Sequence, residues 1–269
     1  MPHDFLHATL GRTGLRVFRL GLSASYRPGK QAVYRAFDAG VNYFFCYGFD
    51  SHMTAALKEL ARKGRERLVI ATGAYNLVWV HQNVRRTLEK RLRQLGTDYI
   101  DVFHFLGVMK PHQFTARARE GLEALRAEGK VRAIAISCHD RKFLGELAAG
   151  SLDVLMLRYN AAHRGAEQDI FPHLEPHRPG VVSYTATRWT YLLRRPRDWS
   201  KDGRVPTAGD CYRFVLSNPN VDVCLTAPSN VKQLEENLAA VRLGPLSEDE
   251  MRFMREFGDA VYRQHKYFM

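Results

Sequence analysis

The sequence predicts a single (β/α)8 barrel with an extra C-terminal helix, one domain over residues 1–269. Three observations carry the prediction. The chain has 269 residues, enough to bury a large core. Short apolar runs alternate eight times with longer segments of helical period. The strand candidates read as nearly continuous apolar runs, as strands do in a parallel sheet covered by helices. No Gly/Ser-rich or Pro-rich linker divides the chain.

In order, the first apolar run is 17–23, followed by helical period over 30–39. The second pair is 42–46 and 53–63, and the third is 68–72 and 79–95. Strand four at 100–106 precedes a helix at 114–128, and strand five at 133–137 precedes one at 142–149. Strand six, 154–157, leads to 166–173. Strand seven, 181–184, is separated by a loop at 194–206 from a helix at 208–217. Strand eight, 221–225, is followed by 231–241. A last helix, 247–262, opens with Ser247-Glu248-Asp249-Glu250, which has the spacing of a capping box.

Composition excludes several classes. Hydrophobic residues make up 45% and charged residues 25%, ordinary globular values. No apolar stretch approaches the roughly 18–20 residues of a membrane span. The stretch MPHDFLHATLGRTG lacks a basic region followed by an apolar run, so no secretory signal is visible. The four cysteines, Cys46, Cys138, Cys211 and Cys224, show no CxxC spacing and read as reduced thiols, so a cytoplasmic location is expected. The net charge is +12, from 40 basic and 28 acidic residues. Such a balance suggests nucleic acid, an anionic membrane surface or a phosphate-bearing cofactor as partner. Against the first two, the excess is spread along the chain as arginine and no nucleic-acid module is recognised. The densest basic run is Arg194-Arg195-Pro196-Arg197.

Several segments in a fixed order resemble the aldo/keto reductase family. They are Gly40-Val41-Asn42-Tyr43-Phe44, Leu95-Gly96-Thr97-Asp98-Tyr99-Ile100-Asp101-Val102, LEALRAEGKVR at 122–132 with Ala133-Ile134-Ala135-Ile136-Ser137 after it, Tyr159-Asn160 with His163-Arg164, and Gln233-Leu234-Glu235-Glu236-Asn237-Leu238. The resemblance implies a (β/α)8 barrel that transfers hydride from NADPH, or NADH, to a carbonyl. It also implies a proton-donating tyrosine tuned by a lysine–aspartate pair, with a histidine orienting the carbonyl.

At those four places this chain departs from the family. Phe45 stands where the family has its aspartate, and Gly73, after Thr72, where it has its lysine. Leu106 stands where it has its histidine. An ungapped alignment puts Asp50 at the tyrosine position, while a shortened loop would bring Tyr47 there. Loss of one general acid costs about 10²–10⁴ in rate, so carbonyl reduction by the usual route is not expected. If only these groups are missing, restoring the family residues at 45, 73 and 106 should return some reductase activity.

The cofactor signature is partly kept. The resemblance places Ser137 at the nicotinamide amide, Tyr184 on the nicotinamide ring, and Gln233, Glu236 and Asn237 at the adenosine end. Ser229 occupies the position of the family's 2′-phosphate arginine, and Lys232 is the nearest cation, so NADP and NAD both stay open. Three further groups attract attention. Cys138-His139 ends strand five, with His139 read as a polar pocket residue. Arg188-Trp189 follows strand seven, where Arg188 can hold a carboxylate or phosphate and Trp189 a ring. Tyr43 and His104 should be inward-facing neighbours. His173-Leu174-Glu175-Pro176-His177 falls on the opposite face, where no metal role is expected. Three functions follow. The first is an NAD(P)-binding barrel with atypical or weak redox activity. The second is a non-redox enzyme using Tyr47, His139 and Arg188 on an anionic small molecule. The third is a binding or regulatory pseudoenzyme.

Overall fold

Eight parallel strands close on themselves in the computed structural model, which describes residues 4–77 and 80–265. The chain opens with a hairpin, β1 His7–Thr9 and β2 Arg16–Phe18, that pairs antiparallel outside the barrel. The barrel strands and their helices then alternate: β3 Leu20–Ser23 and α1 Lys30–Asp38, β4 Tyr43–Phe45 and α2 Ser51–Gly64, β5 Val69–Leu77, β6 Val80–His81 and α3 Val84–Leu95. They continue with β7 Ile100–Val108 and α4 Ala116–Ala127, β8 Val131–Cys138 and α5 Arg141–Ala148, β9 Val154–Arg158 and α6 Ala166–Asp169. The last are β10 Gly180–Tyr184 and α7 Ala208–Leu216, β11 Val223–Thr226 and α8 Val231–Val241, then the additional α9 Glu248–Gln264. Closure is made by β4 pairing with β5.

Three expected elements differ. The apolar run at 17–23 is two strands, because Arg19 interrupts it. Arg19 is buried, and its Nη2 donates to the Leu216 and Val221 carbonyls at 2.8 and 2.7 Å. The helix expected over 79–95 begins at Val84, where Asn83 accepts from Arg86 N. The residues before it turn back as β6 against the end of β5, and 78–79 lie outside the described residues. The helix at 166–173 is one turn of α6 followed by a 3-10 turn at Phe171–His173, where Pro172 prevents continuation.

Side-chain alternation sorts the core into two layers. Tyr43, Phe45, Val69, Ala71, Val102, Leu106, Ala133, Ala135, Val154, Met156, Val182 and Val223 fill the barrel interior, with Leu10, Leu15 and Val17 of the hairpin closing its floor. The alternate residues, such as Phe44, Ile70, Phe103, Ile134 and Leu155, meet the helices. At the floor, polar side chains tie one strand to the next. Asn42 Oδ1 accepts from Phe18 N at 2.8 Å, and Asp101 Oδ2 from Ile70 N at 2.9 Å. Asp153 Oδ2 accepts from Ile134 N, and Asp222 Oδ2 from Val181 N, each at 2.9 Å. Gly258 lets α9 lie directly on Ala161, since a methyl built there would be 2.1 Å from the Ala161 carbonyl oxygen.

Candidate active site

Chemistry in such barrels sits at the C-terminal ends of the strands. Here those ends open into a cavity of about 440 Å³ lined by Ser23, Ser25, Tyr26, Tyr47, His139, Tyr184, Thr187, Trp189 and Tyr212, among others. Tyr47 follows β4 and faces the cavity. Its hydroxyl accepts from Ser25 Oγ at 3.2 Å, and Ser25 Oγ lies 2.9 Å from Ser23 Oγ. Its ring stacks on Phe49, 5.2 Å between centroids, and meets Phe45 edge-on at 4.8 Å. Asp50, the ungapped candidate, does not reach the cavity. It caps α2, its Oδ1 accepting from His52 N and Met53 N at 2.9 and 3.2 Å.

The layer beneath is sealed. Phe45 is fully buried, its ring 5.2 Å from His104. Gly73 leaves no vacancy for a longer side chain. A methyl built on it would lie 2.3 Å from the His104 carbonyl oxygen and 2.8 Å from Leu106 Cδ1. Leu106 and the backbone of β7 therefore occupy the space beside Gly73.

Tyr43 and His104 both point inward and are fully buried, but they do not form a hydrogen-bonded pair. His104 Nδ1 donates to the Thr72 carbonyl at 3.1 Å, while His104 Nε2 and the Tyr43 hydroxyl have no partner. Burial pushes the His104 imidazole down to about 4 and raises the Tyr43 phenol. An unfolded histidine titrates near 6.5. Between these values the unfolded chain binds a proton that the folded one refuses. Stability from this group is therefore full above pH 6.5 and falls as pH drops to about 4, by about 3 kcal/mol in total. Urea unfolding at pH 7 and 4.5 should show this loss, and His104→Leu should flatten that part of the profile.

His139, just after β8, and Tyr184 on β10 line the cavity, with Ser137 of β8 and Arg158 of β9 beside Tyr184. Arg158 and Tyr184 are register partners on adjacent strands. Burial pushes the Tyr184 phenol up to about 12, against the charge of Arg158 and the Ser137 side chain beside it, which lower it. His139 is lowered by burial and then by the charge of Arg158. Cys138 is buried, and its thiol is pushed up to about 11, which opposes a thiolate at neutral pH. Arg158 was not singled out from sequence. Its signal is the alternation Val154, Met156, Arg158 on the inward face of β9.

Arg188 is placed differently from the expectation. It is 1% exposed, its Nε donates to His163 Nε2 at 2.8 Å, and a guanidinium nitrogen donates to the His265 carbonyl. Its role is to brace the loop after β10 against α9, while neighbouring Trp189 alone of the pair lines the cavity. Ser23, Ser25, Tyr26 and Tyr212 also line it without having been expected, because no motif marks them.

The expected adenosine-end residues gather at the start of α8. Gln233 Oε1 accepts from Ser229 N at 2.9 Å, and Asn230 caps the helix through Gln233 N at 3.0 Å. Asn237 is buried and donates to Thr226 Oγ1 at 3.1 Å. Lys232 and Glu236 are exposed and lie 4.0 Å apart. Among the described residues, no cluster of three His, Cys, Asp or Glu side chains is arranged to hold a metal, all four cysteines are free and buried, and no helix is long and apolar enough to cross a membrane.

Comparison with known proteins agrees with this architecture. The profile of the aldo/keto reductase family matches residues 22–198. An L-galactose dehydrogenase of Arabidopsis thaliana is 26% identical, with 86% of each chain covered. An NADH-specific methylglyoxal reductase of Escherichia coli is 23% identical, covering 98% of this chain and 99% of its own. The holo form of an aldo-keto reductase from Bacillus halodurans superposes with a TM-score of 0.77 at 20% identity, over 97% and 99% of the two chains. The chain belongs to the aldo/keto reductase family, whose members of this type are oxidoreductases built on a (β/α)8 barrel.

Proposed function

We propose that the protein binds a nicotinamide dinucleotide between the start of α8 and the barrel mouth, and that its redox activity is atypical or weak. One observation carries the reading. Tyr184, with Ser137 beside it, lines the cavity at the barrel mouth above a layer that Phe45, Gly73 and Leu106 close. An aromatic wall above a closed floor suits a flat ring laid against Tyr184.

The residues present fit the group. Ser137 and Tyr184 would hold the nicotinamide end, Gln233, Glu236 and Asn237 the adenosine end, and Ser229 and Lys232 the ribose side. A lone exposed Lys232 does not discriminate strongly for a 2′-phosphate. Bound there, the cofactor would supply a hydride. Tyr47, hydrogen-bonded to Ser25, is the phenol placed to give or hold a proton. It lacks the family's lysine–aspartate support, which is why weak activity is the expectation. The relatives' activities, on L-galactose and methylglyoxal, define the first carbonyl and sugar substrates to try.

Titration with NADH and NADPH should quench protein fluorescence and raise the melting temperature. Tyr184→Ala should weaken binding about tenfold through lost stacking. Absence of both responses would remove the basis of the reading. Cofactor binding without turnover of any carbonyl would instead make the protein a binding or regulatory pseudoenzyme. The anionic non-redox reading has less support, since Arg188 is turned toward His163.

A further inference from the structure

The densest basic run, Arg194-Arg195-Pro196-Arg197, lies on the loop after β10. It borders a second cavity of about 560 Å³, lined also by Tyr191 and by Val261, Gln264 and His265 at the end of α9. This cavity shares no lining residue with the one at the barrel mouth. Its size falls in the range of small-ligand sites.

The loop is anchored so that its charges stay together. Arg195 donates to the carbonyls of Ser200 and Gly203, the latter at 2.8 Å. Arg197 N donates to Gln264 Oε1 at 3.2 Å. The acid next in sequence, Asp198, is engaged by Arg263 at 3.1 Å and by Gln264 Nε2 at 2.6 Å. Among the described residues, Arg194 and Arg197 make no ion pair. Beside them, the Tyr191 and His265 rings pack 4.5 Å apart, with Tyr191 36% exposed.

We propose that this groove is a second ligand site, taking a small phosphorylated compound with a planar ring, of the size of a nucleoside diphosphate. The phosphates lie between Arg194 and Arg197, whose forked donors match phosphate oxygens. The ring rests on Tyr191 and His265, and Val261 provides an apolar wall. The local charge explains the affinity for an anion, which falls with salt as exposed contacts do.

ADP is the probe, titrated calorimetrically into the full chain at low salt, with inorganic pyrophosphate as the ringless comparison. Arg194 and Arg197 are exposed, so Arg194→Ala/Arg197→Ala should leave the melting temperature unchanged. It should weaken both probes about tenfold or more. Tyr191→Leu should weaken ADP and spare pyrophosphate. The proposal fails if ADP does not bind at millimolar concentration. It also fails if the double variant binds ADP like the parent while Gln233→Ala does not, because the ligand then sits at α8, the dinucleotide end proposed above.

Discussion

Gly73→Lys, the single change that would return the family's lysine, should abolish folding rather than add activity. Even the first carbon is excluded, at 2.3 Å from the His104 carbonyl oxygen, 2.9 Å from His104 Cβ and 2.8 Å from Leu106 Cδ1. Leu106 can rotate, but the carbonyl belongs to β7, whose register with β5 pairs Gly73 with His104. Moving it means breaking the ladder. Gly73→Ala should therefore cost about 3 kcal/mol, the upper part of the usual overpacking range. Lysine adds an ammonium to a layer walled by Phe45 and Leu106, and that desolvation is not repaid by any carboxylate there. Phe45→Asp fares no better, exchanging a fully buried ring for an unpaired carboxylate. The expectation that restoring residues 45, 73 and 106 revives reductase activity is thus replaced by one of misfolding. Expression with circular dichroism, and urea midpoints for the alanine variant, decide the matter. A folded Gly73→Lys protein would show that β5 and β7 can part.

The second large effect lies at the barrel floor. Asp101→Ala should lower stability by about 3–5 kcal/mol, as expected when one member of a buried charge cluster is removed. The carboxylate is fully buried, accepting from Ile70 N at 2.9 Å, Arg65 Nη2 at 2.6 Å and Arg132 Nη1 at 3.1 Å. Its loss leaves an orphaned amide and the largely buried guanidinium of Arg65. Arg132 is half exposed and can return to water, which keeps the value toward the lower bound. Asp101→Asn should recover part of the loss, since its amide oxygen still accepts from Ile70. Urea midpoints of the two variants test the ranking, and equal destabilisation would assign the effect to charge alone.

The barrel was legible because its strands are buried on both faces and its helices on one, so two different periods mark the two kinds of element. Sequence pattern and structure part where that contrast fails. The run at 17–23 stays apolar around Arg19, whose burial depends on distant carbonyls of Leu216 and Val221. The segment 80–83 reads as helix because Val80 continues the apolar spacing of Val84, Leu88 and Leu92. At the site, alignment positions identified Phe45, Gly73 and Leu106, yet whether they left a hole was invisible until packing was known. Arg188 next to Trp189 suggested a ligand pair. Only the tertiary path of α9 reveals that Arg188 is turned to His163 and His265. Ser25 and Tyr47 are 22 residues apart, and nothing local forecasts their contact.

The polar ties of Asn42, Asp101, Asp153 and Asp222 all lie at the end of the barrel away from the cavity. They reach neighbouring strands, the entry hairpin and the flanking helices, so the ring is secured from below. This leaves the upper rim free of responsibility for closure. The side chains of Tyr47, His139 and Tyr184 make none of these ties. The molecule thereby separates the inheritance of its shape from the inheritance of its chemistry: a lineage could rewrite the rim one residue at a time while every intermediate still folded.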